Sequence, residues 1–141
     1  MTIEQKVRVL IDIIRGASVD KVIRDLVFSF GHPDGFNTVK SVYGFVKNNI
    51  DYVEEPFGQD NFQYPTFTLR TRFGDCEDHA ALLGSIFKAQ GYNVAVKVAK
   101  TGQSRYHVYP LVQGVERVET LDYSFLYRSV SFYTFQSYYV C

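Results

Sequence analysis

The hydrophobic period of this chain changes once, and that change constrains the fold more than any other feature. Over residues 2–50 and again over 76–90 the apolar residues recur every three to four positions; from residue 92 they alternate. Ile3, Val7, Leu10 and Ile14 form one stripe on a helix expected over 2–15, with Thr2 and Gln5 placed as a capping box and Gly16 as its end. Ser18 is expected to cap a second helix that carries Val19, Val22, Ile23, Leu26, Val27 and Phe30, stopped by the Gly-His-Pro-Asp-Gly run at 31–35. Asn37 or Thr38 is expected to cap a third, with Val39, Val42, Tyr43, Val46 and Ile50 on its apolar face.

Between Tyr52 and Phe73 the periodicity disappears, and Pro56, Gly58 and Pro65 interrupt the chain. This stretch reads as a long ordered connection, and connections beyond roughly 12–15 residues are often functional. Gly74-Asp75 then opens a helix over 76–90, with Gly91 as its C-cap. Ala80, Ala81, Leu82, Leu83, Ile86 and Phe87 make it apolar on most sides, so it is expected to be central and buried, and Gly84 lets another element approach closely.

The alternating half predicts strands over 92–98, 106–112 and 115–121, joined by the tight turns at 101–103 and 113–114. The tail from Asp122 alternates Ser and Thr with Phe, Tyr and Val, which suits further strand. Helices followed by antiparallel strands define an α+β protein. At 141 residues the chain is one domain, without internal repeat or linker.

Charge and cysteine usage exclude several classes of function. Fifteen Lys+Arg balance fifteen Asp+Glu, so no cationic excess exists to displace counterions from a nucleic acid. No run reaches the ~20 apolar residues of a membrane span, and the N-terminus lacks the apolar core of a secretory signal, so the expected location is cytoplasmic. Two cysteines without a CxxC pair indicate neither a disulfide framework, zinc nor dithiol chemistry, and a Cys76–Cys141 bridge has no support beyond the count. No cofactor and no metal are assigned.

Three residues compose a chemical constellation. Cys76 starts the buried helix, where free N–H groups and the helix dipole favour a thiolate and can hold an oxyanion. His107 lies on the second expected strand, and imidazole is the usual base for a thiol nucleophile. Asp122 falls where the third strand ends, placed to orient that imidazole. Each has a plainer reading: a packed thiol, a structural histidine, a turn aspartate. Together, on helix, strand and neighbouring strand, they form a coherent Cys-His-Asp triad. His79, three residues after Cys76, is a rival base, but it would approach from the side without an orienter.

Gly74-Asp75-Cys76-Glu77-Asp78-His79-Ala80, followed by Leu82-Leu83 and Gly91-Tyr92, resembles the nucleophile helix of the transglutaminase-like superfamily. The form is most similar to that of the bacterial and archaeal transglutaminase-like cysteine proteinases. Residues 42–53, Tyr64-Pro65 and Thr68-Leu69 resemble the segment leading to that cysteine, Tyr106-His107-Val108 its histidine strand, and Leu121-Asp122 its aspartate. The resemblance covers about residues 37–125. It implies a papain-like core, with 1–36 as a helical extension and 126–141 as an aromatic strand segment. It also implies amide chemistry on a protein or peptide substrate: peptide or isopeptide hydrolysis first, acyl transfer or deamidation as variants. Carried over, Cys76 is the nucleophile, His107 the base and acid, and Asp122 the orienter.

The chain also departs from the family. Many members carry a Trp near the His or Asp, and this sequence has none, which leaves a second oxyanion donor to be found. Gln63 and Tyr64 on the preceding connection are candidates, Gln63 being preferred, with loop packing as their plainer role. Some relatives depend on calcium, but no contiguous Asp/Asn ligand loop occurs here. Asp75, Glu77 and Asp78 read as cap and dipole partners rather than a metal cluster, and their charge opposes a Cys76 thiolate. Eight Tyr or Phe residues lie between Asp122 and Cys141. They either complete the sheet or present a face for self-association or a partner protein. That face, the acids and the absent Trp motivate a second reading, a non-catalytic binding module on the same fold.

Overall fold

The computed structural model describes residues 2–53, 61–100, 106–112 and 134–140. Five helices precede the main sheet: α1 (Ile3–Ala17), α2 (Lys21–Phe28), α3 (Gly35–Asn49), α4 (Pro65–Thr71) and α5 (Cys76–Ala89). Two short strands, β1 (Asp51–Tyr52) and β2 (Phe73–Gly74), pair in parallel and bracket α4. The main sheet holds β3 (Val94–Lys100), β4 (Tyr106–Val112) and β5 (Thr134–Val140) in the order β4-β3-β5, both pairings antiparallel. The expected α+β class is therefore observed. No described helix is long and apolar enough to cross a membrane.

α5 is the axis of the molecule. Ten of its fourteen residues are buried, so it is enclosed rather than amphipathic. It packs against α1, α2, α3 and α4 and lies across β3 and β4. The core joins Leu10 and Ile14 of α1, Val42, Tyr43 and Val46 of α3, Leu82, Leu83, Ile86 and Phe87 of α5, and Val96, Val108 and Val112 of the sheet. The Tyr43 hydroxyl donates to the Pro110 carbonyl at 3.2 Å, tying α3 to β4. Gly84 allows the approach of α1: a Cβ there would fall 2.6 Å from Ile14 Cδ1.

Several boundaries differ from the expectation. The Thr2/Gln5 capping box forms, but α1 runs through Gly16 to Ala17. Ala17 is fully buried, and that packing outweighs the ~1 kcal/mol that a helical glycine costs. Ser18 closes α1, its hydroxyl donating to the Arg15 carbonyl, and Asp20 rather than Ser18 caps α2. Val19, expected on the apolar stripe, is 71% exposed because the chain turns there before helix resumes, and Val22, in the first turn of α2, is 50% exposed. α3 starts at Gly35, ahead of Asn37 and Thr38; the Thr38 hydroxyl accepts from the Asp34 backbone N–H one turn earlier.

The long connection conceals α4, whose Pro65 occupies the first turn, where a missing N–H costs nothing. α4 ends on Arg72 with φ 64°, a left-handed stop that turns the chain into β2. The Asp51 and Val53 N–H groups donate to the Arg72 and Gly74 carbonyls, both at 2.9 Å. The expected strand over 115–121 lies outside the described residues. β5 does add a strand from the tail, pairing with β3 in a register shifted between Val98 and Ala99.

Candidate active site

The site begins with the cap of α5. Asp75 Oδ1 accepts from the Glu77 and Asp78 N–H groups at 3.0 and 3.1 Å, while Asp78 Oδ2 accepts from the Asp75 N–H at 3.0 Å. This reciprocal capping box satisfies the Glu77 and Asp78 donors of the first turn, the capping role expected of Asp75. Gly74 is required beside it, since a Cβ would stand 2.6 Å from Asp78 Cβ. The other Asp78 oxygen, Oδ1, accepts from the Gln63 N–H at 2.8 Å, and the Thr68 hydroxyl of α4 donates to Gln63 Oε1 at 2.9 Å. The segment before α4 is thus fastened to the start of α5.

Cys76, a free and half-buried thiol, is the first residue of α5. Burial pushes its ionisation well above the ordinary thiol range, and the charges of Asp75, Glu77 and Asp78 add to that; a hydrogen bond with the Val108 backbone opposes it. α5 packs across β4, the strand that carries His107. Asp75 is itself raised from 3.8 to about 8, first by burial and then by the neighbouring Asp78 carboxylate. Glu77 turns toward α1, 3.8 Å from Lys6 Nζ.

The other predicted residues are placed as follows. His107 stands on β4 opposite Ala99 of β3, at the end of the strand nearest its start; its side chain lies outside the described residues. Asp122 lies wholly outside them. Gln63 is beside the α5 N-terminus through Asp78. Tyr64 is the residue before α4 and half-exposed. Among the described residues no group of three or more His, Cys, Asp or Glu side chains converges to hold a metal ion.

The sequence over 24–113 matches the family model of the transglutaminase-like superfamily. The chain belongs to that superfamily. Two solved structures share its fold. One is a protein from Cytophaga hutchinsonii provisionally assigned as a cysteine protease, with TM-score 0.53 and 13% identity over 84% of this chain and 49% of that one. The other is EGTA-treated LapG of Legionella pneumophila, with TM-score 0.50 and 17% identity over 77% of this chain and 66% of that one. This transglutaminase-like chain therefore spans about half the length of the first and under two-thirds of the second. No curated protein matches its sequence.

Within this transglutaminase-like frame His79 has another job. It is 2% exposed, its ring packs edge-on against Tyr52 at 5.7 Å, and it meets the Asp51 backbone. Burial lowers its pKa, so it is a neutral ring holding β1 onto α5. Asp78 and Thr68 are participants that the sequence reading did not connect with Gln63. The Tyr64-Pro65 pair, a proline-initiated helix, was the available signal for Thr68; nothing local marks the Asp78–Gln63 bond, which closes across 15 residues.

Proposed function

We propose that this protein performs cysteine-dependent amide chemistry, with Cys76 as nucleophile, His107 as base and acid, and Asp122 as orienter. The supporting observation is that α5, which begins at Cys76, packs across β4, the strand that carries His107. Family membership agrees with thiol chemistry at this cysteine. The acids around Cys76 support a role for His107: a thiol disfavoured as a free anion needs a base that takes its proton as attack proceeds, or an imidazolium that pairs with it.

In the proposed cycle His107 accepts the thiol proton and Cys76 Sγ attacks the carbonyl carbon. The C=O electron pair moves onto oxygen, held by the Cys76 backbone N–H, since Asp75 takes those of Glu77 and Asp78. The tetrahedral intermediate collapses, the C–N bond breaks, and the amine departs with the proton from His107. A thioester remains. Water, deprotonated by His107, attacks it; the C–S bond breaks, the carboxylate leaves and the thiol regains its proton. An amine in place of water gives transfer. Hydrolysis is the proposed main outcome and a peptide or isopeptide the substrate class.

The test is a panel of peptide amides and isopeptides with wild type and Cys76→Ala. The expected result is amine release by wild type alone, with an acyl mass on the peptide containing Cys76 after acid quench. Equal release by Cys76→Ala would contradict the reading.

A further inference from the structure

The apolar side chains left exposed on α2 and beside β1 and β2 have nothing in the structure to say what covers them. The ion pair between α1 and the start of α5 carries more. Lys6 Nζ stands 3.8 Å from Glu77 Oε1, and the two side chains are only 24% and 12% exposed. Lys6 meets Glu77 as Ile14 meets Gly84, so α1 and α5 run parallel with their N-termini side by side. A cation from α1 is thereby delivered to the residue that follows Cys76.

Of the three acids at this cap, Glu77 is the one paired with a cation among the described residues. Asp78 accepts from the Asp75 and Gln63 N–H groups, one on each oxygen. Asp75, raised to about 8, keeps its proton at neutral pH. The Glu77 carboxylate disfavours a thiolate at Cys76, and it does so more strongly out of water than in it. An ammonium on that carboxylate offsets the effect at its source. The pair is not needed to hold the helices together. Val7, Leu10, Ile11 and Ile14 already bury one face of α1 in the core. An ion pair adds little to such a seam, since drawing an ammonium and a carboxylate from water opposes their attraction.

We propose that Lys6 is a positioning residue for the nucleophile: it holds and balances the Glu77 carboxylate, so that the Cys76 thiol meets one uncompensated negative charge fewer. This rests on Cys76 being the nucleophile. α1 precedes the residues 24–113 that match the family model, so a helix ahead of that match contributes to the electrostatics of the site. The other charges acting on the thiol from its own cap are Asp75 and Asp78. Around this end of α5, β4 carries His107, β2 has no charged residue, and Arg70 of α4 lies over the Phe67 ring at 5.4 Å.

The test is the pH profile of Cys76 alkylation by iodoacetamide, resolved by mass spectrometry on the whole chain. The thiolate sulfur forms the C–S bond, the C–I bond breaks, and iodide leaves with the electron pair. Lys6→Met keeps the aliphatic stem and removes the charge. Its profile is expected to move up by about 0.5–1 pH unit, with the rate at pH 7 falling about 3- to 10-fold. Lys6→Arg keeps the charge and should keep the wild-type profile. Glu77→Gln is expected to move the profile down, and Lys6→Met combined with Glu77→Gln to return it close to wild type. A pair that merely joined two helices would lower the urea midpoint of Lys6→Met and leave its profile in place, and that result overturns the proposal. An upward shift in Lys6→Arg equal to that in Lys6→Met also overturns it, since the charge would not be the cause. A Glu77→Gln profile that does not move overturns it too, so the decision does not hang on Lys6→Met folding. Equal amine release by wild type and Cys76→Ala in the peptide panel overturns the nucleophile reading and the proposal with it, whatever the profiles show.

Discussion

Asp75 is the nearest strong charge acting on the Cys76 thiol. Both helix N–H groups bond its Oδ1, so a proton on Oδ2 leaves the cap intact. The unfolded chain ionises this carboxyl near 3.8 and the folded chain near 8, because burial and Asp78 disfavour the anion. The folded state thus holds the extra proton, and the associated stability is full below the unfolded value and is lost as pH rises through about 8. Asp75→Asn places an amide where the protonated acid stands. The urea midpoint is expected to fall less between about pH 5 and pH 8.5 in this variant than in wild type. Equal falls would contradict the raised ionisation. The same substitution removes a negative charge from beside the thiol only where Asp75 is ionised. Iodoacetamide labelling of Cys76 should therefore speed up several-fold above about pH 8 and stay near wild type around pH 6. Acceleration of equal size at both pH values would place the effect elsewhere than in the charge.

At the scale of elements, the meeting of α1 and α5 is the tightest seam. A Cβ on Gly84 would lie 2.6 Å from Ile14 Cδ1 and 3.1 Å from Cγ1. Gly84→Ala gains up to ~1 kcal/mol in helix propensity but overpacks a closed interior, which typically costs ~1–3 kcal/mol. Because Ile14 is fully buried and cannot swing into solvent, a net loss of about 1 kcal/mol is expected by chemical denaturation. Ile14→Val deletes Cδ1, so the double variant should be no less stable than Ile14→Val alone; a Gly84→Ala protein as stable as wild type would contradict this packing. Elements with long periodic runs were legible: α5 and β4 lie where 76–90 and 106–112 were expected. α4 was not, because seven residues make too short a run to show a period. The end of α1 was misplaced at Gly16, since the burial that carries helix to Ala17 is tertiary and leaves no local mark.

At the scale of the whole molecule, one switch of hydrophobic period produced a helical layer and a sheet with α5 enclosed between them. The site was legible in part. Cys76 could be placed because a helix start follows from Gly74-Asp75, and β4 because its alternation is clean. The Asp78–Gln63–Thr68 fastening could not, because it joins α5, a loop and α4 through side-chain geometry that no spacing encodes. The rise in the Cys76 pKa was foreshadowed by the neighbouring acids, but its largest cause, burial, needed the packed structure. The central claim is that His107 makes this disfavoured thiol reactive. Site-resolved iodoacetamide labelling across pH, in wild type and His107→Ala with Cys141 as internal control, tests it directly. The account predicts that wild-type Cys76 outpaces Cys141 below the ordinary thiol pKa of ~8.5, and that His107→Ala drops Cys76 behind Cys141. Cys76 lagging Cys141 in both proteins, with no effect of the substitution, would contradict it.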